Sequence, residues 1–227
     1  MHPLNQLTVR PAKARTGLWV ALYGPDGAGK SAVLRQLTVE LPLLFSGVRV
    51  YHLRIPLRRS VRPTAAVTDP HAQQPRGSFL SCLKLLYMLV HAWLTHLLVV
   101  LPAVGTGQLV LFDRYFHDYA IDPRRYRLPF RSAGLAGLLG RLAPRPHLQF
   151  VLDVPAEVLQ ARKSEVSPAE SERQRQAYAS PRGPLSGAVL VNADRPVSEV
   201  ANEIAAMIRA RAGAQSEPLA ELDFARI

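Results

Sequence analysis

The chain alternates short apolar runs with stretches in which apolar side chains recur every three or four positions. Leu18–Tyr23 is apolar throughout and ends in a glycine-rich turn. Val33, Leu34, Leu37 and Leu41 then follow at helical spacing, so the pattern predicts strand, loop and a helix over Lys30–Leu41. Val48–Leu53 predicts a second strand. It leads into a segment from Pro56 to Ser78, rich in proline, arginine and glutamine, that reads as a loop or mobile segment. Phe79–Leu101 predicts one long apolar helix. Gln108–Phe112, His147–Asp153 and Ala188–Asn192 predict three more buried strands. The last two are each followed by an amphipathic helix opening near Pro155 and Pro196, where a proline costs no helical hydrogen bond. Alternation of this kind predicts an α/β fold: three layers, with helices on both faces of a parallel sheet of about five strands.

A chain of 227 residues can bury one sizeable core, which predicts a single domain over residues 17–212, between a disordered lead at 1–16 and a loosely ordered tail at 213–227. The lead contains Arg10, Lys13 and Arg15 but lacks the apolar run and small-residue cleavage site of a secretory signal. Cys82 is the single cysteine, so no intrachain disulfide can close, and no Cys/His spacing suggests zinc. A reducing, cytoplasmic compartment is the expectation. The formal net charge of +11 favours anionic partners, and because lysine occurs only at positions 13, 30, 84 and 163, that charge is mostly arginine, suited to bidentate phosphate contacts. No interleaved basic and aromatic platform or recognition helix supports nucleic-acid binding.

Gly24-Pro25-Asp26-Gly27-Ala28-Gly29-Lys30-Ser31 is a complete P-loop (Walker A) motif in the strand-to-helix setting it requires. Its glycines let the backbone wrap so that successive N–H groups face phosphates, and the following helix aims its positive dipole end at the same charge. Gly24, Asp26, Gly27, Ala28, Gly29, Lys30 and Ser31 are therefore the expected nucleotide-binding set, with Lys30 on the outer phosphates and Ser31 completing a Mg2+ shell. Asp26 has two readings, a contact toward acceptor or metal-bound water, or a turn-forming aspartate before glycine. Leu109–Phe112 ends in Asp113, a Walker-B-like candidate for holding Mg2+, and the adjacent Arg114 is a candidate grip on an acceptor phosphate. An ordinary strand ending in a surface ion pair is the alternative for that pair.

With these motifs in order, the sequence resembles the thymidylate kinase family of P-loop nucleoside-monophosphate kinases. The resemblance rests on the loop at 24–31, Asp113-Arg114-Tyr115, Leu152-Asp153-Val154-Pro155 with Glu157 and Arg162-Lys163, and Val191-Asn192-Ala193-Asp194-Arg195-Pro196 before Glu199. It implies a P-loop kinase fold with a helical lid at 162–180. ATP and Mg2+ would be the cofactors, and Arg162, Lys163, Arg173 and Arg175 the lid cations over the transferring phosphate. A solvated helix pair with surface ion pairs is the alternative reading of the lid. Arg54 and Tyr115 join Arg114 as implied acceptor contacts, and a homodimer is implied as well.

The acceptor motifs depart from the family pattern. Arg54-Ile55-Pro56-Leu57 keeps the arginine and proline of the family's R-E-P-G but not its glutamate or glycine, and Phe79–Leu101 lacks the arginine expected in that helix. The expected acceptor is dTMP or another nucleoside monophosphate. Its alternatives are a non-nucleotide acceptor such as a sugar or lipid-linked saccharide, or a nucleotide-binding protein with little turnover. Leu85–Val104 is free of formal charge and long enough to span a bilayer, which leaves three readings: a buried core helix, a spanning helix, or a face in peripheral contact with membrane or a lipid tail.

Overall fold

The computed structural model describes residues 16–53, 77–162 and 167–216. The expected lead, the 56–76 segment, Arg54, Lys163 and the tail beyond 216 lie outside them. Strands β1 (Leu18–Tyr23), β2 (Gly47–His52), β3 (Gln108–Asp113), β4 (Leu148–Asp153) and β5 (Val189–Asn192) form one parallel sheet in the order β2-β3-β1-β4-β5. Helices are α1 (Lys30–Glu40), α2 (Ser78–Thr95), α3 (Leu101–Gly105), α4 (Asp118–Ile121), α5 (Ala133–Leu142), α6 (Ala156–Arg162), α7 (Pro168–Ala179) and α8 (Val197–Ser216). This is the P-loop kinase architecture. Connections that leave β1 toward α1 and β3 toward α4 diverge at the reversal in strand order, which opens a crevice at the carboxyl ends of the two central strands.

Two cores sandwich the sheet because the central strands are apolar on both faces. Leu18, Val20 and Leu22 pack with Leu111 and Phe150 under α1 and α8, while Trp19, Ala21 and Tyr23 pack with Phe112 and Val151 under α2, α4 and α5. The expectation of a buried strand at Ala188–Asn192 needs correction: Val189 and Leu190 of β5 are exposed, since β5 lies at the sheet edge beside β4. The last helix continues to Ser216, past the expected start of the tail.

The long apolar helix is present but not uniform. From Ser78 it runs to Gly105 through a π-helical turn at His96–Val100. Pro102 explains the widening, because a proline ring clashes with the carbonyl four residues back in a regular α-helix. The reading of this helix as a buried core element holds for one face only. Leu85, Met88, Ala92 and Val100 pack on the sheet, whereas Phe79, Leu83, Leu86, Val90, Leu94 and Leu98 are exposed.

Candidate active site

The glycine loop closes over the carboxyl end of β1. Gly24, Gly27 and Gly29 have φ of 139°, 84° and 88°, a region costly for residues with a Cβ. At Gly24 a Cβ would also sit 2.8 Å from the Leu152 carbonyl oxygen of β4, so the strand-to-loop turn has no room for a side chain. Gly29 caps α1, accepting from Ala32 and Val33 amides at 3.0 Å, and a Cβ there would meet open space. The loop's own conformation, not steric crowding, demands glycine at that position.

Lys30 is buried, and its ammonium donates to the carbonyls of Gly24 at 2.8 Å and Pro25 at 2.7 Å. Burial, reinforced by nearby Arg114, pushes its pKa down to about 7, against the pull of Asp113 and Asp26. Ser31 Oγ donates to Asp113 Oδ2 at 3.3 Å. The other oxygen, Asp113 Oδ1, is buried with no hydrogen-bond partner among the described residues. A hydroxyl beside a carboxylate with one unsatisfied buried oxygen, at the mouth of a phosphate loop, is the donor set a divalent cation takes when phosphates and water complete its shell, so the residues fit Mg2+. Beside this pair lies a cavity of about 530 Å3 lined by Arg35, Thr38, Tyr51 and His52.

Arg114 is turned inward. Its backbone is left-handed (φ 67°), its amide donates to Leu22 O at 2.9 Å, and its side chain is 2% exposed. One terminal nitrogen donates to both Asp118 oxygens, at 3.1 and 2.9 Å, and to Tyr178 Oη at 2.8 Å; the other donates to Asp26 Oδ1 at 2.7 Å. Asp26 also pairs with Arg125. Arg114, Lys30 and Arg125 together hold the Asp26 carboxyl well below the usual carboxylate range in spite of burial. Asp118 is lowered by Arg114 and by hydrogen bonds from Tyr126, at 2.5 Å, and Tyr178. This carboxylate–guanidinium network joins the P-loop, α4, the turn at 124–126 and α7.

The sequence-predicted residues divide accordingly. Gly24 through Ser31, Asp113 and Arg114 converge on the crevice. Arg175 makes a two-pronged contact with Asp153 at the end of β4, at 2.7 and 3.1 Å. Arg173 is occupied by Glu170, by Ile121 O at 3.0 Å, and by the Phe130 ring 4.9 Å below it. Among the described residues, Arg162 reaches Asp194, at 3.8 Å. Tyr115 points away from the others: it is buried edge-on against Trp19 and Phe112, its hydroxyl without a partner among the described residues and its pKa raised by burial. It lies just past the end of β3, and the core cluster on the α2 side of the sheet holds it there. Sequence reasoning missed Asp118 and Tyr178 as partners of Arg114. The four-residue spacing of Arg114 and Asp118 carries no helical signal, because Arg114 is left-handed and α4 begins only at Asp118, and the 64-residue separation of Arg114 from Tyr178 offered none.

A second cavity, about 700 Å3, adjoins the network through Tyr126. It is lined by Leu53, Leu80, Leu83, Lys84, Tyr87, Met88, Tyr119 and Tyr126, so its walls are largely apolar and aromatic.

A phosphate loop at the switch point of a five-stranded parallel sheet, with a carboxylate at the end of the neighbouring strand and a helical segment after β4, defines a P-loop phosphotransferase. The comparisons give the family. The chain is 32% identical over 212 residues to the thymidylate kinase of Deinococcus radiodurans, covering 86% of this chain and 98% of that one. It is 27% identical over 211 residues to a probable thymidylate kinase of Pyrobaculum calidifontis, covering 84% and 95%. It is 28% identical over 148 residues to a thymidylate kinase of Xanthomonas oryzae, covering 61% and 57%. No family model matches the chain. The chain belongs to the thymidylate kinase family and is a nucleotide kinase by class.

Proposed function

We propose that the protein transfers the terminal phosphoryl group of Mg-ATP to the phosphate of a nucleoside monophosphate, dTMP being the acceptor that the relatives' names suggest. The observation that carries this reading is the convergence of Lys30, Ser31 and Asp113 on the glycine loop, with Asp113 Oδ1 buried and unsatisfied. On donor binding, Lys30 exchanges the Gly24 and Pro25 carbonyls for phosphate oxygens. Loop amides hold the remaining phosphates. Ser31 and Asp113 would hold Mg2+, which when bound would neutralise phosphate charge. The acceptor oxygen attacks in line, forming its bond to the γ-phosphorus as the bond to the β-bridging oxygen breaks, with no enzyme-bound phosphoryl group. Arg125 and Arg114, set by Asp26, flank the acceptor side, and Arg173 and Arg175 leave Glu170 and Asp153 to meet the transferring group.

A second reading has a specific observation behind it. The guanidinium of Arg114 is already engaged by two carboxylates. The adjoining 700 Å3 cavity is apolar and opens between Leu80, Leu83 and Tyr87, all exposed, which suits an amphiphilic acceptor with a phosphate or hydroxyl head better than a base read by hydrogen bonds. A panel assay separates the two. ATP consumption with each common nucleoside monophosphate is compared with consumption on an isoprenoid alcohol and its phosphate in detergent. Turnover confined to dTMP supports the first reading. Turnover confined to the isoprenoid compounds replaces it with the second.

A further inference from the structure

We propose that the depression between α5 and the turn before β5 binds a small anion carrying two adjoining phosphoryl groups, at a site separate from the P-loop crevice. Its volume, about 460 Å3, lies in the range of small-molecule sites. None of its lining residues lines either cavity of the crevice. Arg141 comes from the last turn of α5, Arg145 from the connection to β4, and Arg182 from the turn after α7. Separate segments thus each bring a guanidinium to one concavity. All three residues are exposed, and among the described residues none of them has a carboxylate partner. The negative end of the α5 dipole partly offsets Arg141, whereas Arg145 and Arg182 lie outside any helix and lack even that. On the α5 side the wall is left bare by Gly134, where a Cβ would meet open space.

Charge selects the occupant. The depression is built from stretches 123–152 and 173–193, neither of which contains aspartate or glutamate, together with His117. His117 is buried, and burial reinforced by Arg145 lowers its pKa to about 4, so its ring is neutral; Nδ1 is engaged with Tyr23 Oη at 3.2 Å. A concavity ringed by one sign of charge concentrates counter-ions. Guanidinium groups grip phosphoryl oxygens through paired N–H donors, and three of them match the charge of a diphosphate better than that of a single phosphate or carboxylate. The Ser186 hydroxyl at the rim adds a neutral donor.

The test is calorimetric titration of inorganic pyrophosphate, without Mg2+, into the full chain and three variants. Lys30→Ala weakens the hold of the P-loop on phosphate, so binding that persists in it reports the second site. Replacing Arg141, Arg145 and Arg182 together by alanine should weaken that binding by roughly a hundredfold, at about fivefold per exposed charge pair. Gly134→Glu should abolish it, because the new carboxylate enters the depression and answers the arginines. Position 134 is exposed in the first turn of α5, where loss of glycine and gain of a carboxylate both favour the helix. That variant should therefore keep the wild-type thermal midpoint or exceed it, and it tests the proposal even if the arginine variant loses stability. Absence of pyrophosphate binding by the wild-type chain, or binding that vanishes in Lys30→Ala, overturns the proposal. So does wild-type affinity in a folded arginine variant or in Gly134→Glu, since the anion then sits in the P-loop alone.

Discussion

Arg114 links the elements of the crevice. Its left-handed backbone swings the side chain under the P-loop, where Asp118, Asp26 and Tyr178 consume its donors. Such a pair contributes through completeness, because removing one partner strands a buried charge. Asp118→Asn should therefore cost about 3–5 kcal/mol in a denaturant titration, and a loss within experimental error would show that the network is dispensable. Lys30 gives a sharper test. Its pKa of about 7 lies below the 10.5 of a free lysine, so the unfolded chain binds this proton more tightly between those values, and the nucleotide-free fold gains stability as pH rises through that window. A bound triphosphate restores the cation. Binding at a pH a unit or more above about 7 should take up a proton, read calorimetrically from buffers of different ionisation enthalpy. The uptake should vanish in Lys30→Met, and its absence from the wild-type chain would contradict the placement of Lys30 on phosphate.

At the scale of elements, the β1–P-loop–α1 unit was legible because three independent signals coincide: an apolar run, a glycine pattern and a helical repeat. Strand cores were legible for the same reason, to within one residue at most ends. Three features were not. The π turn at His96–Val100 depends on how Pro102 is accommodated, which periodicity does not encode. The exposure of β5 depends on strand order, which hydropathy does not encode either. Tyr115 adjoins the Asp113–Arg114 pair in sequence, yet faces Trp19 and Phe112 because β3 ends at Asp113 and the left-handed backbone of Arg114 breaks the strand alternation. Where helix meets strand, Gly17 is a critical join: its amide donates to Val104 O at 2.7 Å, and a Cβ would fall 1.9 Å from Gln108 O. Gly17→Ala should force β1 from β3 and destabilise the fold by about 1–3 kcal/mol or more, as overpacking against backbone does. An unchanged thermal midpoint would contradict that packing.

Across the whole molecule, the sheet's two faces are treated unequally. Core clusters fill both sides, but the helix over one of them presents an apolar outer stripe, and arginines of the acid-free segment 124–146, with Arg182, lie beside it, so part of the surplus of positive charge visible in the composition has a location. The composition alone gave the sign of the charge and not its place, because segments 78–105, 124–146 and 182 meet only in the folded chain. Motif order along the chain made the kinase architecture legible, whereas the carboxylate–guanidinium network is built from residues brought together from the P-loop, the end of β3, α4, the turn at 124–126 and α7. Saturating Mg-ATP at about a hundred times its Kd should raise stability by about 2.7 kcal/mol, read as a rise in the thermal midpoint.

The most direct measurement is transfer of label from γ-labelled ATP to dTMP in the presence of Mg2+, with the wild-type chain and Lys30→Ala side by side. The account predicts labelled dTDP from the wild-type chain and a rate lower by roughly two to three orders of magnitude in the variant, as for loss of a group that stabilises developing charge. Equal label transfer by both proteins would contradict it.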